Sequence, residues 1–337
     1  MRSSSASILS ASINYLEADL KSIRQSATPR LSISSRPGNR WVGYLLIVLA
    51  ALCWGAAATI GKAVFNGSLF AGATAIDPVI LAQTRTTFSL LIFAPALLII
   101  HGAGALRISR RDLFLSLLIG VIGIAGSNFF YYFAIQKSTV ATAITVQYTA
   151  PIWVLLYLVA RRQQRATLKR VAAVAMALLG SMLVVGVGAT GLKLTSIGVL
   201  AALGAAFTYA FYNVAAAGVV QRRPSWLIML YALLGSVIFW LVLNPPWKVM
   251  AQHYSAKQWA FLAVFAMISM LLPFNLYFAG LKYLDPTRAI VTSCLEPVFA
   301  IVFAAIFVAE KIGLSQVSGM LLVLAATVLI QIPEREG

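Results

Sequence analysis

Ten separate apolar runs, each long enough to cross a lipid bilayer, dominate the sequence after residue 40. A helix rises about 1.5 Å per residue, so about 20 apolar residues cover the roughly 30 Å hydrocarbon core. With 61% hydrophobic and 10% charged residues, the chain has too few charges for a water-soluble surface. We therefore predict an all-α integral membrane protein. Its ten spans are expected at 41–65, 79–101, 113–136, 139–160, 167–189, 195–220, 225–243, 257–281, 286–308 and 314–332.

Positive charges are concentrated on one side of these spans. If the Ser-rich, basic tail of residues 1–40 is cytoplasmic, 19 of the 26 Lys and Arg residues fall in the tail or in loops on the same side. Six fall on the opposite side, and Arg85 lies within the second span. Lys and Arg accumulate in cytoplasmic loops, so both termini are predicted to be cytoplasmic and the tail to be disordered. Charges spread over so many loops also argue against nucleic-acid binding.

The two halves of the chain resemble each other. A shift of 146 residues places Pro151 on Pro297, and a similar alignment of the first and sixth spans places Trp54 on Tyr209. Each half would hold five spans, an odd number, so the second half must enter the membrane from the opposite side. This predicts two inverted five-helix repeats around a central cavity, a plan typical of secondary transporters. The repeats are expected at 41–190 and 193–333.

Two charged residues fall inside predicted spans. Glu296 lies in the middle of the ninth span, where an ionisable group costs at least about 2.5–3.5 kcal/mol on insertion scales. It is a candidate partner for a substrate ammonium group or a proton carrier; the alternative is a neutral carboxyl hydrogen-bonded within the bundle. Arg85 could bind a substrate carboxylate. A structural ion pair, or a position at the membrane interface, is the favoured interpretation of Arg85.

Other polar and aromatic side chains within the spans are candidates for a substrate pocket. A ring with one polar tip suits an amphipathic solute, although such residues also fill helix interfaces and form interfacial belts. The candidate substrate-binding residues besides Glu296 are Trp54, Asn128, Tyr131, Gln147, Tyr148, Tyr209, Asn213, Asn275, Tyr277 and Ser293.

Prolines and glycines indicate where the helices bend and pack. Pro151 and Pro297, at matched positions, are candidate hinges for alternating access, because proline interrupts the helical hydrogen-bond ladder. Gly120, Gly123 and Gly126 recur every three residues in the third span and predict the close approach of a neighbouring helix.

Motifs of soluble enzyme chemistry do not occur in the sequence. There is no HExxH zinc motif, no GxxxxGK[ST] nucleotide-binding loop, no GxSxG elbow and no CxxC pair. His101 and His253 have no companion at metal-ligand spacing. We therefore expect no enzymatic activity, no metal and no cofactor, and a gradient as the driving force.

Several short sequences carry a family resemblance. They are Leu-Cys-Trp-Gly at 52–55, Gln-Thr-Arg-Thr-Thr-Phe at 83–88, Ala-Pro at 150–151, Leu-Glu-Pro-Val at 295–298 and Val-Ala-Glu-Lys-Ile-Gly-Leu-Ser-Gln at 308–316. Over residues 41–332 the chain resembles the drug/metabolite transporter superfamily, specifically its ten-helix EamA-type carriers. The positions matching Glu296 and Glu310 in the first half hold Ala150 and Gln164, so neither glutamate has a symmetric partner.

The resemblance implies a carrier of the inner membrane for small polar or amphipathic metabolites, commonly an amino-acid exporter, with no oligomer required. In its many aromatic residues, the chain is most similar to family members that export aromatic and hydrophobic amino acids. The expected partners are a small-molecule substrate and the lipid bilayer. Two alternatives stay open: a broad-specificity drug or metabolite efflux carrier, and an intramembrane enzyme that modifies lipids.

Overall fold

The computed structural model describes residues 40–65, 76–186, 195–308 and 311–332. Within them, ten helices are long and apolar enough to cross a membrane, which confirms the predicted all-helical, ten-span fold. The basic tail predicted for residues 1–40 lies outside the described residues except for Arg40, which begins the first helix.

We number the spans α1 to α10, and six of them contain no internal break apart from one non-helical residue, Gly102, near the end of α2. These six are α1 (Arg40–Phe65), α2 (Pro78–Ala105), α5 (Leu168–Val185), α6 (Ser196–Val220), α7 (Ser225–Leu243) and α10 (Leu314–Gln331).

The other four spans change helix type or are interrupted. In α3, Arg110–Leu118 and Gly126–Lys137 flank a π-helical segment at Ile119–Ala125, and in α8, Ala256–Ala266 and Leu272–Gly280 flank one at Met267–Leu271. α4 consists of Val140–Gln147 and Ala150–Ala160, and α9 of Pro286–Ser293 and Glu296–Val308. A short helix, Pro246–Met250, precedes α8.

These irregularities recur at a constant spacing. The π-helical segment of α3 ends at Ala125 and that of α8 at Leu271. The break in α4 lies at residues 148–149 and the break in α9 at residues 294–295. Each pair is 146 residues apart, the same offset that aligns the two prolines in the sequence.

Side-chain caps define several helix starts. The first N–H groups of a helix have no partner within the helix, and a short polar side chain just before it can accept their hydrogen bonds. The Asp77 carboxylate accepts from Val79 N–H at 2.8 Å at the start of α2. The Asp285 carboxylate accepts from Arg288 N–H at 3.0 Å, as the Asp-Pro sequence before the ninth span indicates.

Glycines allow close helix contacts on both sides of the bundle. A Cβ atom at Gly120 would collide with the carbonyl of Ala232 in α7, and one at Gly123 with the side chain of Tyr212 in α6. The predicted close approach at the third span is confirmed for Gly120 and Gly123, whereas a Cβ at Gly126 would make only ordinary contact at 3.5 Å. Likewise, a Cβ at Gly180 in α5 would lie 2.8 Å from the Gly319 carbonyl oxygen in α10.

An ion cluster joins the start of α3 to the turn between α6 and α7. Asp112 is buried, and its carboxylate accepts from Arg223 Nε at 2.9 Å and from Arg222 Nη2 at 3.3 Å. The Ser109 hydroxyl donates to the same carboxylate at 2.9 Å. Both arginine side chains are about 40% exposed, so the cluster spans the boundary between the packed bundle and water.

Burial changes along α9. All eight residues of Pro286–Ser293 are buried, whereas Ile306 and Phe307 near the other end are exposed. At the buried end, α1 packs closely on the turn between α8 and α9, where a Cβ at Gly43 would lie 2.8 Å from the side chain of Leu284. The bundle is therefore densely packed at the end where α1 and α9 begin.

Candidate substrate-binding site

The break in α9 places Glu296 at the first residue of the second half of that helix. Before the break, Cys294 N–H donates to the Val291 carbonyl at 3.2 Å, an i to i−3 bond that tightens the turn. After it comes Pro297, which has no N–H to continue the ladder. The positive end of a helix dipole favours an acidic side chain, so the backbone itself helps to accommodate a carboxylate here.

α4 is broken in a similar way. Thr149 N–H donates to the Val146 carbonyl at 3.1 Å, and its hydroxyl donates to the same carbonyl at 2.7 Å. Trp153 Nε1–H in turn donates to the Thr149 hydroxyl at 3.1 Å. Pro151 and Pro297 therefore lie just after the breaks, as the second residues of the new helices, and the turns before them carry the irregular backbone.

A guanidinium and several phenols surround Glu296. Its side chain is half-buried and has no hydrogen bond to another described residue. Its carboxyl group interacts electrostatically with ionisable side chains of α2, α3, α4 and α6 and with one residue of α9 itself. They are Arg85, Tyr131, Tyr148, Tyr209, Tyr212 and Cys294.

Arg85 is bound to α3 and not to an acidic side chain. Its Nη2 donates to the Asn128 side-chain oxygen, while its Nε is buried without a hydrogen-bond partner. Asn128 Nδ2 donates to the Ile124 carbonyl at 2.7 Å, within the π-helical segment of α3. None of the ion pairs between described residues includes Arg85, so its described partner within the bundle is an amide and not a carboxylate.

Hydrogen bonds connect α6 to both α8 and α9. The hydroxyl groups of Tyr209 and Ser293 lie 2.9 Å apart. The Asn213 amide donates to the Tyr277 hydroxyl, and both of these side chains are fully buried. The side-chain oxygen of Asn213 has no partner. Four of the residues singled out in the sequence thus form two contacts between neighbouring helices.

Aromatic rings extend this cluster towards α1. Trp54 packs edge-on against Phe274 at 5.2 Å between ring centroids and lies 5.5 Å from Tyr277. Tyr212 stacks on Tyr209 at 5.0 Å. Sequence reasoning missed Tyr212 and Phe274. Both lie three residues from a named tyrosine, and this spacing places side chains on the same helical face, so it could have indicated them.

Two amide side chains predicted for the site, Gln147 and Asn275, make different kinds of contact. Gln147 Nε2 donates to the Ser127 hydroxyl at 3.2 Å and so links α4 to α3 next to Asn128. Asn275 Nδ2 donates to the Leu271 carbonyl of its own helix at 2.7 Å. Like the amide of Asn128, it satisfies a carbonyl of a π-helical segment. Its described hydrogen bond does not connect it to the residues around Glu296.

Metal-ligating side chains are sparse in the part of the chain that the structure covers. There, no group of three His, Cys, Asp or Glu side chains comes together. Cys53 and Cys294 are both free thiols.

The fold and this interior cluster define a class of protein: a multi-pass helical membrane protein with polar groups gathered where two helices break. The description of the EamA-like transporter family matches residues 41–186 and again 196–332. The chain belongs to the EamA-like transporter family.

Relatives with similar lengths are known as transporters. The uncharacterized inner membrane transporter YicL of Salmonella typhimurium is 26% identical over 313 residues, which cover 88% of this chain and 98% of the relative. An uncharacterized transporter of Archaeoglobus fulgidus is 22% identical over 290 residues, covering 86% and 98% of the two chains. One solved crystal structure, 19% identical, shares the fold with a TM-score of 0.70 over 86% of this chain and 97% of its own.

Proposed function

We propose that the protein is a secondary transporter that exports small amphipathic metabolites, foremost amino acids with aromatic or hydrophobic side chains, by alternating access. The observation that carries the proposal is the interior position of Glu296, which begins a half-helix and has Arg85 and several phenols around it. Charged side chains within a membrane domain are costly and mark solute pathways.

The composition of the cluster favours a neutral or zwitterionic solute. It contains one acidic and one basic group, together with hydroxyl groups, amides and aromatic faces. Rings such as Trp54 and Phe274 can contact an apolar side chain, while Ser293 and Tyr209 can exchange hydrogen bonds with polar groups. A solute of net charge would leave one of the two charged groups without compensation.

Alternating access would come from two inverted five-helix repeats, 41–190 and 193–333, that rock about a cavity lined by α1, α3, α4, α6, α8 and α9, to which α2 adds Arg85. Two observations support this division. The family description matches the chain twice, and the helix irregularities recur 146 residues apart. Pro151 and Pro297 are the proposed hinges, because each follows a broken turn where the chain can bend with little loss of hydrogen bonding.

The proposed location is the inner membrane, with both termini in the cytoplasm. The uneven distribution of Lys and Arg between the two sides supports this orientation. The printed name of the Salmonella relative, an inner membrane transporter, supports the location. In this orientation the densely packed end, where α1 and α9 begin, faces the cytoplasm.

The test is uptake of labelled amino acids into proteoliposomes, with and without a pH gradient, for the wild type and Glu296→Gln. We expect the wild type to transport hydrophobic amino acids faster with the gradient, and the variant to lose this acceleration. Transport by both proteins that ignores the gradient would make the protein a facilitator and Glu296 a structural residue. Protein-free liposomes provide the background.

The same preparation separates the alternative functions. Transport of hydrophobic cations without transport of any zwitterion would indicate a drug efflux carrier. Chemical conversion of a lipid by the detergent-purified protein, with no second compartment present, would indicate an intramembrane enzyme. Either result would overturn the proposed amino-acid function while leaving the ten-span fold intact.

A further inference from the structure

Arg85 and Glu296 have opposite charges inside one helical bundle, yet they do not pair. The two groups interact electrostatically, but none of the ion pairs within 4.0 Å among the described residues joins them. Removing charged groups from water costs several kcal/mol, of the order of the attraction that a good ion pair provides. A ligand with both charges could compensate the two side chains at once.

The guanidinium of Arg85 has one hydrogen bond and donors left over. Nη2 donates to Asn128, which is itself fixed by its 2.7 Å bond to the Ile124 carbonyl. Nε is buried without a partner. A guanidinium has five N–H donors arranged as a planar fork that matches a carboxylate. Arg85 therefore has N–H donors without a partner, which a carboxylate could accept from.

Glu296 offers the complementary half of such a site. It makes no hydrogen bond to another described residue, so its oxygens are free to accept from a ligand. Tyr131 interacts electrostatically with both Arg85 and Glu296. The Tyr209 hydroxyl lies 2.9 Å from that of Ser293, three residues before Glu296, and the Tyr212 ring stacks on Tyr209 at 5.0 Å. Such rings attract cations such as an ammonium group.

We propose that Arg85 and Glu296 together bind the zwitterionic head group of an α-amino acid, Arg85 the carboxylate and Glu296 the ammonium, and that Asn128 is a positioning residue that holds the guanidinium. In an α-amino acid both charges are attached to one carbon atom, so a single head group can contact both side chains. This assignment rests on the proposed function and adds to it the residues that select substrates bearing both charges over simple amines and simple acids.

The experiment measures binding of three probes to the detergent-purified, full-length protein: L-phenylalanine, phenethylamine, which lacks the carboxylate, and 3-phenylpropionate, which lacks the ammonium group. In the wild type, each truncated probe should bind about 10- to 100-fold more weakly than phenylalanine, as expected for a lost charge-assisted hydrogen bond. In Arg85→Gln, phenylalanine and phenethylamine should bind with equal affinity, whereas the affinity for 3-phenylpropionate should not rise above that of the wild type.

Three further variants keep the result interpretable. Arg85→Lys should restore part of the preference for phenylalanine over phenethylamine, because it restores the charge without the fork. Asn128→Ala should weaken phenylalanine binding while affecting phenethylamine little, which a purely structural role would not do. Arg107→Gln, the same chemical change at an exposed loop position, should match the wild type for all three probes.

Two outcomes would overturn the head-group assignment. If Arg85→Gln and the wild type prefer phenylalanine over phenethylamine by the same factor, Arg85 does not bind the carboxylate, although amino-acid transport by another site would still stand. If the wild type binds none of the probes and transports no amino acid in proteoliposomes, the proposed function fails together with the assignment. A monodisperse profile on size-exclusion chromatography establishes that each variant is folded.

Discussion

The hydroxyl oxygens of Tyr209 and Ser293 lie 2.9 Å apart and join α6 to α9 three residues before Glu296. Ser293 also donates to the Ile290 carbonyl of its own helix at 2.8 Å, which leaves the tyrosine hydroxyl as the donor of the bond between the two helices. The position of the turn that precedes Glu296 is thus coupled to α6.

Removing the Tyr209 hydroxyl should weaken substrate binding without unfolding the protein. Tyr209→Phe deletes one hydrogen bond worth about 0.5–1.5 kcal/mol, and Ser293 keeps its bond to Ile290. We expect the KM for amino-acid uptake to rise about 3- to 10-fold. The KM of the double variant Tyr209→Phe, Ser293→Ala should not exceed the higher of the two single-variant KM values, because the two hydroxyls act through one contact. Tyr157→Phe, on an exposed face of α4, is the matched control; equal KM values for it and Tyr209→Phe would contradict the prediction.

Replacing the prolines should slow the conformational cycle more than it affects binding. In Pro297→Ala the new N–H can bond to the carbonyl four residues earlier and stiffen the break at residues 294–295. We expect about a tenfold lower exchange rate in proteoliposomes, with the dissociation constant changed less than threefold, and a similar effect of Pro151→Ala. Pro95→Ala, in the uninterrupted part of α2, should exchange at the wild-type rate. If the hinge variants do so as well, Pro151 and Pro297 are not hinges.

Asp112→Asn should lower the stability of the bundle. The buried carboxylate holds two arginines that are each about 40% exposed, so solvent screening limits the loss to about 1–2 kcal/mol. Thermal unfolding in detergent, followed by circular dichroism, should show a lower midpoint for Asp112→Asn. Arg223→Gln, which removes the shorter 2.9 Å contact, should cost more than Arg222→Gln. Addition of 1 M salt is expected to narrow the gap to the wild type; a gap that widens with salt would point to a packing defect.

The contact between α5 and α10 should not tolerate one added methyl group. A Cβ at Gly180 would lie 2.8 Å from the Gly319 carbonyl oxygen and 2.8 Å from a Val323 methyl carbon. Overpacking of this kind costs about 1–3 kcal/mol. Gly180→Ala should therefore reduce the unfolding midpoint, whereas Gly61→Ala, with nothing within 4 Å of the added carbon, should not. A wild-type midpoint for Gly180→Ala would show that the two helices can separate slightly without loss.

Most of the fold follows from apolar length alone, because the bilayer dictates the length of each span. The seventh span was predicted at 225–243, and the helix is Ser225–Leu243. The fifth was predicted at 167–189, but the helix ends at Val185, where Gly186 adopts a left-handed φ of 77°. Apolar residues continue past this glycine, so hydropathy does not detect the cap that ends the helix.

The sequence predicts many of the residues of the candidate site, but it does not predict which of them contact each other. A charge in a span and paired prolines are visible in the sequence, and they drew attention to Glu296. That Asn213 bonds to Tyr277, or that Arg85 is held by Asn128, depends on how α6 meets α8 and α2 meets α3. The breaks themselves occur two residues before the prolines, in turns with no distinctive composition of their own.

The ion cluster of Asp112 has a counterpart that is not charged. Shifted by 146 residues, Ser109 and Asp112 correspond to Ser255 and Gln258, whose side chains form the capping box at the start of α8. The carboxylate in α3 also binds two arginines of another turn, whereas the amide oxygen of Gln258 accepts from the Ser255 N–H of its own cap at 2.9 Å. Because dissolved ions screen charge pairs far more than bonds between neutral groups, salt should weaken the contact at the start of α3 and leave the cap at the start of α8 unchanged.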